Sequence, residues 1–284
     1  MTVTPWRNPV WPSELELQDD LEPSRWVLPR LLPWGVAHGT PVGSIVPTGF
    51  GAYVRLLHPA GTGRADPPVR WSDVSEANGR IYHPLMQWDQ IKEADPDVLG
   101  LEWLSDPRTG HLESEMCRDL YGLLADWTST PEVCWVGIWH GFGSLYAPSG
   151  GSVAIATFRR TDAASEPPED PEIATTLASW EEAAAQVRRA PTFHHPARDY
   201  LLTRGPCRAV WHLTERPLDI TPSLAWPEDH AWCVGSEIDF DSTLIAASRE
   251  CADALLADDR FETVEVHEEG RLDAGGDLLN PPVD

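Results

Sequence analysis

The chain of 284 residues carries a formal net charge of −24, and 42% of its residues are hydrophobic. This length and composition fit a folded protein of one large domain or two smaller ones. The acidic balance argues against nucleic acid and anionic membranes as partners, because both attract clustered Lys and Arg.

Signals of cellular compartment favour a cytoplasmic protein. The chain begins M-T-V-T-P-W-R-N-P-V-W-P, which has no apolar run of signal-peptide length. No stretch of the sequence approaches a transmembrane helix. The five cysteines form no C-x-x-C pair and lie in apolar stretches, as buried thiols of a reducing cytosol do.

The first half of the chain predicts an irregular arm followed by an α+β unit. Residues 1–41 are rich in Pro and Trp, and proline at this density resists regular elements. Strand patterns at Val42–Val46 and Ala52–Leu57 flank a turn. A helix is predicted over 113–127, because apolar residues recur there every three or four positions. The unit is assigned to residues 42–160.

The strand predicted at Cys134–Gly143 alternates tryptophan with glycine. Trp135 and Trp139 fall on the same face as Gly137 and Gly141. Indole faces left uncovered by glycine could stack a sugar or a base, which makes both tryptophans candidate binding residues. The alternative is a strand buried on both faces, in which tryptophan fills the space beside each glycine.

Residues 161–172 are polar, acidic and rich in proline, which is typical of a linker. Beyond them, residues 173–267 predict a second α+β unit, with one helix opened by a Ser179 capping box and another capped by Ser248. This unit either stands alone or continues the first one. Residues 268–284 are an acidic tail, which we expect to be loosely ordered.

Residues 222–243 combine a strong strand pattern with several carboxylates. Alternation from Ala231 places Glu237, Asp239 and Asp241 on one face of a strand. These charges repel one another unless a positive group lies among them. A divalent cation would serve. The other interpretation places the aspartates in a turn and Glu237 in solvent.

An arginine would neutralise the three carboxylates equally well. The sequence offers three candidates in its second half, Arg198, Arg204 and Arg208. Spacing alone does not choose between arginine, a cation and solvent.

The fold class follows from how the predicted elements succeed one another. Strands occur in neighbouring groups with turn signals between them, and not in regular βαβ alternation. We therefore predict an α+β fold with mostly antiparallel sheet and about three packed helices.

Charge asymmetry points to an interaction protein. Residues 215–284 contain 18 acidic and 4 basic residues, hence −14 of the net −24. This asymmetry, the 14 tryptophans and the lack of a complete catalytic motif favour a noncatalytic protein with a basic protein partner and no cofactor. The oligomeric state stays open.

The alternative function is that of a metal-dependent hydrolase. Glu237, Asp239 and Asp241 would bind the divalent cation in such an enzyme, and His83 or His140 would act as the base. The histidines are equally compatible with purely structural positions, because neither lies in a recognisable ligand or catalytic motif.

Three blocks of sequence between Val42 and Phe261 are similar to a family of uncharacterised actinobacterial proteins. They read A-Y-V-R-L-L-H-P with V-R-W-S-D-V and H-P-L-M-Q-W, then C-W-V-G-I-W-H-G-F-G, then R-D-Y-L-L-T-R-G-P with W-P-E-D-H-A-W-C-V-G-S-E-I-D-F-D-S-T. The resemblance implies a self-contained unit in a bacterial cytosol. It implies no activity and no catalytic residues, because that family has no assigned function.

Overall fold

Among the residues that the structure describes, nine β-strands form one antiparallel sheet. The structure is a computed structural model that describes residues 11–35, 38–61, 68–92, 105–146, 181–195, 198–216 and 218–280. The strands are Glu16–Leu17 (β1), Ala52–Leu57 (β2), Cys134–Trp139 (β3), Phe193–His195 (β4), Arg198–Gly205 (β5), Leu224–Pro227 (β6), Trp232–Gly235 (β7), Ser242–Ala247 (β8) and Thr263–Val266 (β9).

The strand order shows that distant parts of the chain are interleaved. Across the sheet the order is β1-β5-β3-β6-β7-β8-β2-β9, and β4 also pairs with β5. Strand β3 therefore lies between β5 and β6, and β2 lies between β8 and β9. The two strands from residues 42–160, β2 and β3, do not pair with each other, and each is inserted between strands from residues 173–267.

The prediction of about three packed helices is not matched. Within the described ranges the α-helices are Trp71–Ala77 (α1), Trp88–Ile91 (α2), Ser114–Leu124 (α3), residues 181–189 (α4) and Arg249–Leu256 (α5). A long 3-10 segment, Cys207–Thr214, adds to them. The prediction fell short because α1 and α2 have only seven and four residues, too few to show a clear helical repeat.

One face of the sheet packs against helices. Strand β2 directs Val54 and Leu56 toward this side, where α3, α5 and the 3-10 segment Cys207–Thr214 cover it. The predicted apolar stripe of α3 is correct, since Leu120 and Leu124 are fully buried. Ser179 of the predicted capping box and the whole predicted linker at 161–172 lie outside the described residues.

The N-terminal part of the chain covers the opposite face. The predicted strand at Val42–Val46 is wrong, because Val42–Ser44 form a 3-10 turn. The turn is held by the Ser44 hydroxyl, which donates to the Pro41 carbonyl at 2.6 Å. Its residues are as buried as a strand would be. Hydrophobicity therefore predicted the burial of this segment correctly but not its conformation.

Glycines in the sheet make room for this covering layer. A Cβ on Gly137 would lie 3.0 Å from the Phe193 ring, and a Cβ on Gly235 would lie 2.8 Å from a methyl group of Val46. The space beside Gly137 is thus filled by Phe193 from β4. Tryptophan on β3 does not fill it.

Candidate functional site

The three carboxylates singled out in the sequence lie on the connection between β7 and β8, and not on a continuous strand. Strand β7 ends at Gly235, and residues 236–241 precede β8. A turn forms here because the Phe240 amide donates to the Glu237 carbonyl at 3.0 Å. The Ser236 and Thr243 hydroxyls, 2.7 Å apart, join the two ends of the connection. The predicted alternation of carboxylates on one strand face is therefore wrong.

Arg198 neutralises two of the three carboxylates. Its Nε donates to Glu237 at 2.9 Å, and one terminal nitrogen donates to Asp239 at 2.7 Å. Burial disfavours the guanidinium charge, but hydrogen bonds to Glu237 and the charges of both carboxylates outweigh burial and raise the pKa of Arg198. Glu237 is buried, whereas Asp239 is exposed to solvent. The pair Arg198–Glu237 thus anchors the connection to the start of β5.

Asp241, the third carboxylate, faces a different arginine. Arg55 on β2 is fully buried and lies 3.4 Å from Asp241. It also donates to the Ser242 hydroxyl at 3.0 Å and to the carbonyls of Met86 at 2.8 Å and Pro84 at 3.1 Å. Burial raises the pKa of Asp241, and the charge of Arg55 opposes this rise. Arg55 therefore ties β8 to the segment that precedes α2.

The structure does not bring the three carboxylates together as a metal site. Two of them share Arg198 and the third meets Arg55, so positive charge already lies where a cation would be needed. Across the described part of the chain, no group of three or more His, Cys, Asp or Glu side chains is arranged to hold a metal ion. The other two predicted arginines are elsewhere, Arg204 over an indole ring and Arg208 on Asp126.

The two candidate tryptophans of β3 are partly buried, and each has an arginine over its ring. The guanidinium carbon of Arg198 lies 5.1 Å from the centre of the Trp139 ring, and that of Arg204 lies 5.6 Å from the Trp135 ring. Phe142 packs edge-on against Trp139 at 5.3 Å. Each arginine covers part of the ring surface that a stacked sugar would require.

The candidate histidines are tied to other partners. Nε2 of His83 lies 2.8 Å from Asp277, and Nε2 of His140 lies 3.0 Å from the Tyr146 hydroxyl. Neither makes a hydrogen bond to the β7–β8 connection within the described residues. The hydrolase arrangement, in which a histidine base adjoins the carboxylates, is thus not assembled by these contacts.

An acidic depression lies at one edge of the sheet. Its volume is about 330 Å³, and it is lined by residues 49–53 and 265–268. Glu268 accepts a hydrogen bond from the Tyr53 hydroxyl at 2.7 Å. Burial, together with Glu268, raises the pKa of Tyr53 to about 12. In the described residues no basic side chain pairs with Glu268, so its charge is available at the wall of the depression.

The C-terminal segment is packed against the rest of the protein, which the sequence did not predict. It was expected to be a loose tail, but Asp277 and Asn280 are buried. The Asn280 side chain accepts from the Ile81 amide at 2.8 Å and donates to the Ile81 carbonyl at 2.9 Å. Only the pattern D-L-L-N, with two leucines between turn-forming residues, hinted at this anchoring.

The fold is that of a mixed α and β protein built on one large antiparallel sheet. In the ranges described above, no helix is long and apolar enough to cross a membrane. Comparisons with models of protein families, with curated proteins and with solved structures each found no match.

Proposed function

We propose that this chain is a noncatalytic interaction protein that binds a basic protein partner through its acidic C-terminal part. The observation that carries the proposal is the depression beside β9. Phe50 and Tyr53 contribute aromatic surface to it, and its carboxylates are those of Glu268 and of Glu265, which also pairs with Arg249 at 2.6 Å. A lysine or arginine side chain entering it would meet negative charge and aromatic rings together.

The charge of the surrounding chain supports the same partner. With 18 acidic and 4 basic residues, residues 215–284 carry a formal net charge of −14. Such an excess attracts cationic proteins and accelerates their encounter. All five cysteines are buried free thiols, which supports a cytoplasmic location because that compartment is reducing. Membership of the uncharacterised actinobacterial family remains a prediction.

The proposal is tested with a defined probe, a fluorescein-labelled 14-residue peptide of alternating Lys and Ser. Fluorescence anisotropy at low ionic strength is expected to show binding that weakens steeply as NaCl is added. The double variant Glu268→Gln and Glu269→Gln is expected to weaken binding about fivefold, because it removes charge beside the depression.

A matched control has the same change in net charge. Glu115 and Glu132 are exposed and lie far from this edge in sequence, so the double variant Glu115→Gln and Glu132→Gln is expected to change the Kd less than about twofold. Equal weakening by both double variants would mean that only total charge matters. Absence of binding at low salt would remove the proposal altogether.

A further inference from the structure

Four exposed apolar side chains gather where the loop after α1 meets the C-terminal segment. The exposed fractions are 51% for Ile81, 39% for Tyr82, 86% for Leu278 and 53% for Leu279. Two hydrogen bonds between the Ile81 backbone and the Asn280 side chain bring the segment of Ile81 and Tyr82 next to the turn that carries Leu278 and Leu279. We refer to these four residues as the apolar corner.

Single exposed leucines are common on protein surfaces, but neighbouring ones are not. Leu278 and Leu279 are consecutive, and their exposure leaves much of both side chains in water. Exposure of this apolar surface to water raises the free energy of the isolated protein. Contiguous exposed apolar groups of this kind typically mark a place where another molecule binds.

Hydrogen bonds to the buried Asp277 carboxylate hold the apolar corner in place. The buried Asp277 carboxylate lies 2.8 Å from His83 and accepts from the backbone amides of Leu279 at 3.0 Å and Asn280 at 2.9 Å. It also accepts from the Gln87 amide at 3.2 Å. Because these bonds fix the turn that presents the leucines, little conformational entropy would be lost when a partner docks.

Charge identifies the kind of partner. Glu262 and Asp277 are buried, and the rest of residues 262–280 contains four acidic residues, Glu265, Glu268, Glu269 and Asp273, and one basic residue, Arg271, hence a net charge of −3. A second copy of this chain would bring the same negative charge to the interface and be repelled. A segment that carries both apolar and cationic side chains satisfies the apolar corner and the surrounding carboxylates together.

We infer that the apolar corner is the docking surface for a cationic, amphipathic segment of a partner protein. This inference rests on the proposed function and names the apolar half of the same interaction. Leucines 278 and 279 bind the apolar side of the segment, and its Lys or Arg residues lie toward the acidic C-terminal surface.

Two probes separate the apolar contribution from the charge. One is the Lys/Ser peptide, and the other is a Lys/Leu peptide of the same length and charge whose leucines repeat at helical spacing. The Lys/Leu peptide is expected to bind wild-type protein at least about tenfold more tightly than the Lys/Ser peptide. The double variant Leu278→Ser and Leu279→Ser is expected to abolish that difference and leave Lys/Ser binding unchanged.

Leu28, exposed by 45% on the N-terminal arm, provides the control. The variant Leu28→Ser is expected to retain the full preference for the Lys/Leu peptide. All three leucines are on the surface, so unchanged unfolding midpoints should accompany these results. If the preference survives in the Leu278→Ser and Leu279→Ser variant, the docking surface is refuted while the acidic interaction stands.

The remaining outcomes are also decisive. If neither peptide binds at low salt, the proposed function fails and the docking inference fails with it. Light scattering tests whether a second copy of this chain binds at the apolar corner. The expected mass is that of the 31.5 kDa monomer. A dimer that dissociates in the double leucine variant would show that the apolar corner serves self-association instead.

Discussion

His58 and His195 are both buried, but their hydrogen bonds differ. Burial lowers the pKa of each to about 4. The His58 ring nitrogens lie 2.9 Å from the Arg108 carbonyl and 2.9 Å from the Thr243 hydroxyl. Both ring nitrogens of His195 lack a hydrogen bond of normal geometry. His58 therefore contributes polar contacts, whereas His195 mainly fills space beside Tyr200.

These histidines make the free energy of unfolding depend on pH. Each folded-state pKa lies below the ordinary value of 6.5, so the unfolded chain binds more protons between about pH 6.5 and pH 4. Their contribution is complete above pH 6.5 and is lost as the pH falls toward 4. Between pH 7.5 and 5.5 each histidine should remove about 1.3 kcal/mol.

The variant His195→Phe should reduce this pH dependence by about 1.3 kcal/mol and cost little at pH 7.5, because the contact of its ring with the Ile45 backbone falls short of normal hydrogen-bond geometry. Urea unfolding at pH 7.5 and at pH 5.5 gives both values. By contrast, His58→Phe should be destabilised at pH 7.5 by about 1–3 kcal/mol, since the Thr243 hydroxyl and the Arg108 carbonyl lose their partner. An unchanged pH dependence in His195→Phe would contradict the assignment.

At the scale of elements, a residue far away in the chain can cap the N-terminus of a helix. Helix α1 begins at Trp71, and the side chain of Arg70 before it makes no capping hydrogen bond. The Glu262 carboxylate accepts from the amides of Trp71 and Ser72, each at 2.7 Å. A carboxylate at a helix N-terminus satisfies free amides and the helix dipole together. The contact joins the chain just before β9 to a helix that lies 190 positions earlier.

Strand β7 and the segment after the Val42–Ser44 turn fit closely at Gly235. An added Cβ would lie 2.8 Å from Val46 and 2.9 Å from Ile45. We expect Gly235→Ala to reduce the free energy of unfolding by about 1–3 kcal/mol through overpacking. In the double variant with Val46→Ala, the two costs should be less than additive because the smaller side chain makes room.

Gly143 offers the control for this prediction, because a Cβ there meets no atom within 4 Å. Gly143→Ala should be neutral or stabilising by up to about 1 kcal/mol, since it restricts the unfolded chain. Chemical denaturation of the four variants measures the coupling. Full additivity of Gly235→Ala and Val46→Ala would show that Val46 does not pack against β7 in solution.

At the scale of the whole molecule, the interleaved strands require the two halves of the chain to fold together. Strand β3 cannot keep both neighbours without β5 and β6 from the second half, and β2 likewise depends on β8 and β9. Exposed sheet edges are costly and prone to association. Neither half is therefore expected to fold alone.

Calorimetry should show this cooperation directly. We expect a single unfolding transition whose calorimetric and van't Hoff enthalpies agree. Residues 1–160 and residues 173–284, expressed separately, should give no cooperative transition. Two resolved transitions in the full chain, or a folded fragment, would instead support the two separate units that the sequence allowed.

The sequence by itself determined the properties that depend on composition and short-range pattern. The acidic charge is visible in the counts, and the helical repeat around Leu120 predicted α3. Grouped strands and turns predicted an antiparallel sheet. Repulsion among Glu237, Asp239 and Asp241 suggested a positive partner as one alternative to solvent, and Arg198 was one of the arginines considered. These conclusions succeed because periodicity and charge act over a few neighbouring residues.

Only the tertiary structure decided which partners meet. Arg55 and Asp241 are separated by 186 positions, and their contact depends on the register between β2 and β8. The apolar corner likewise requires residues 81 and 280 to meet. Such pairings are set by packing and backbone hydrogen bonding of the whole sheet, and a local sequence pattern does not predict them. For this reason, the sequence could name the candidate carboxylates, but only the fold showed that arginines already neutralise them.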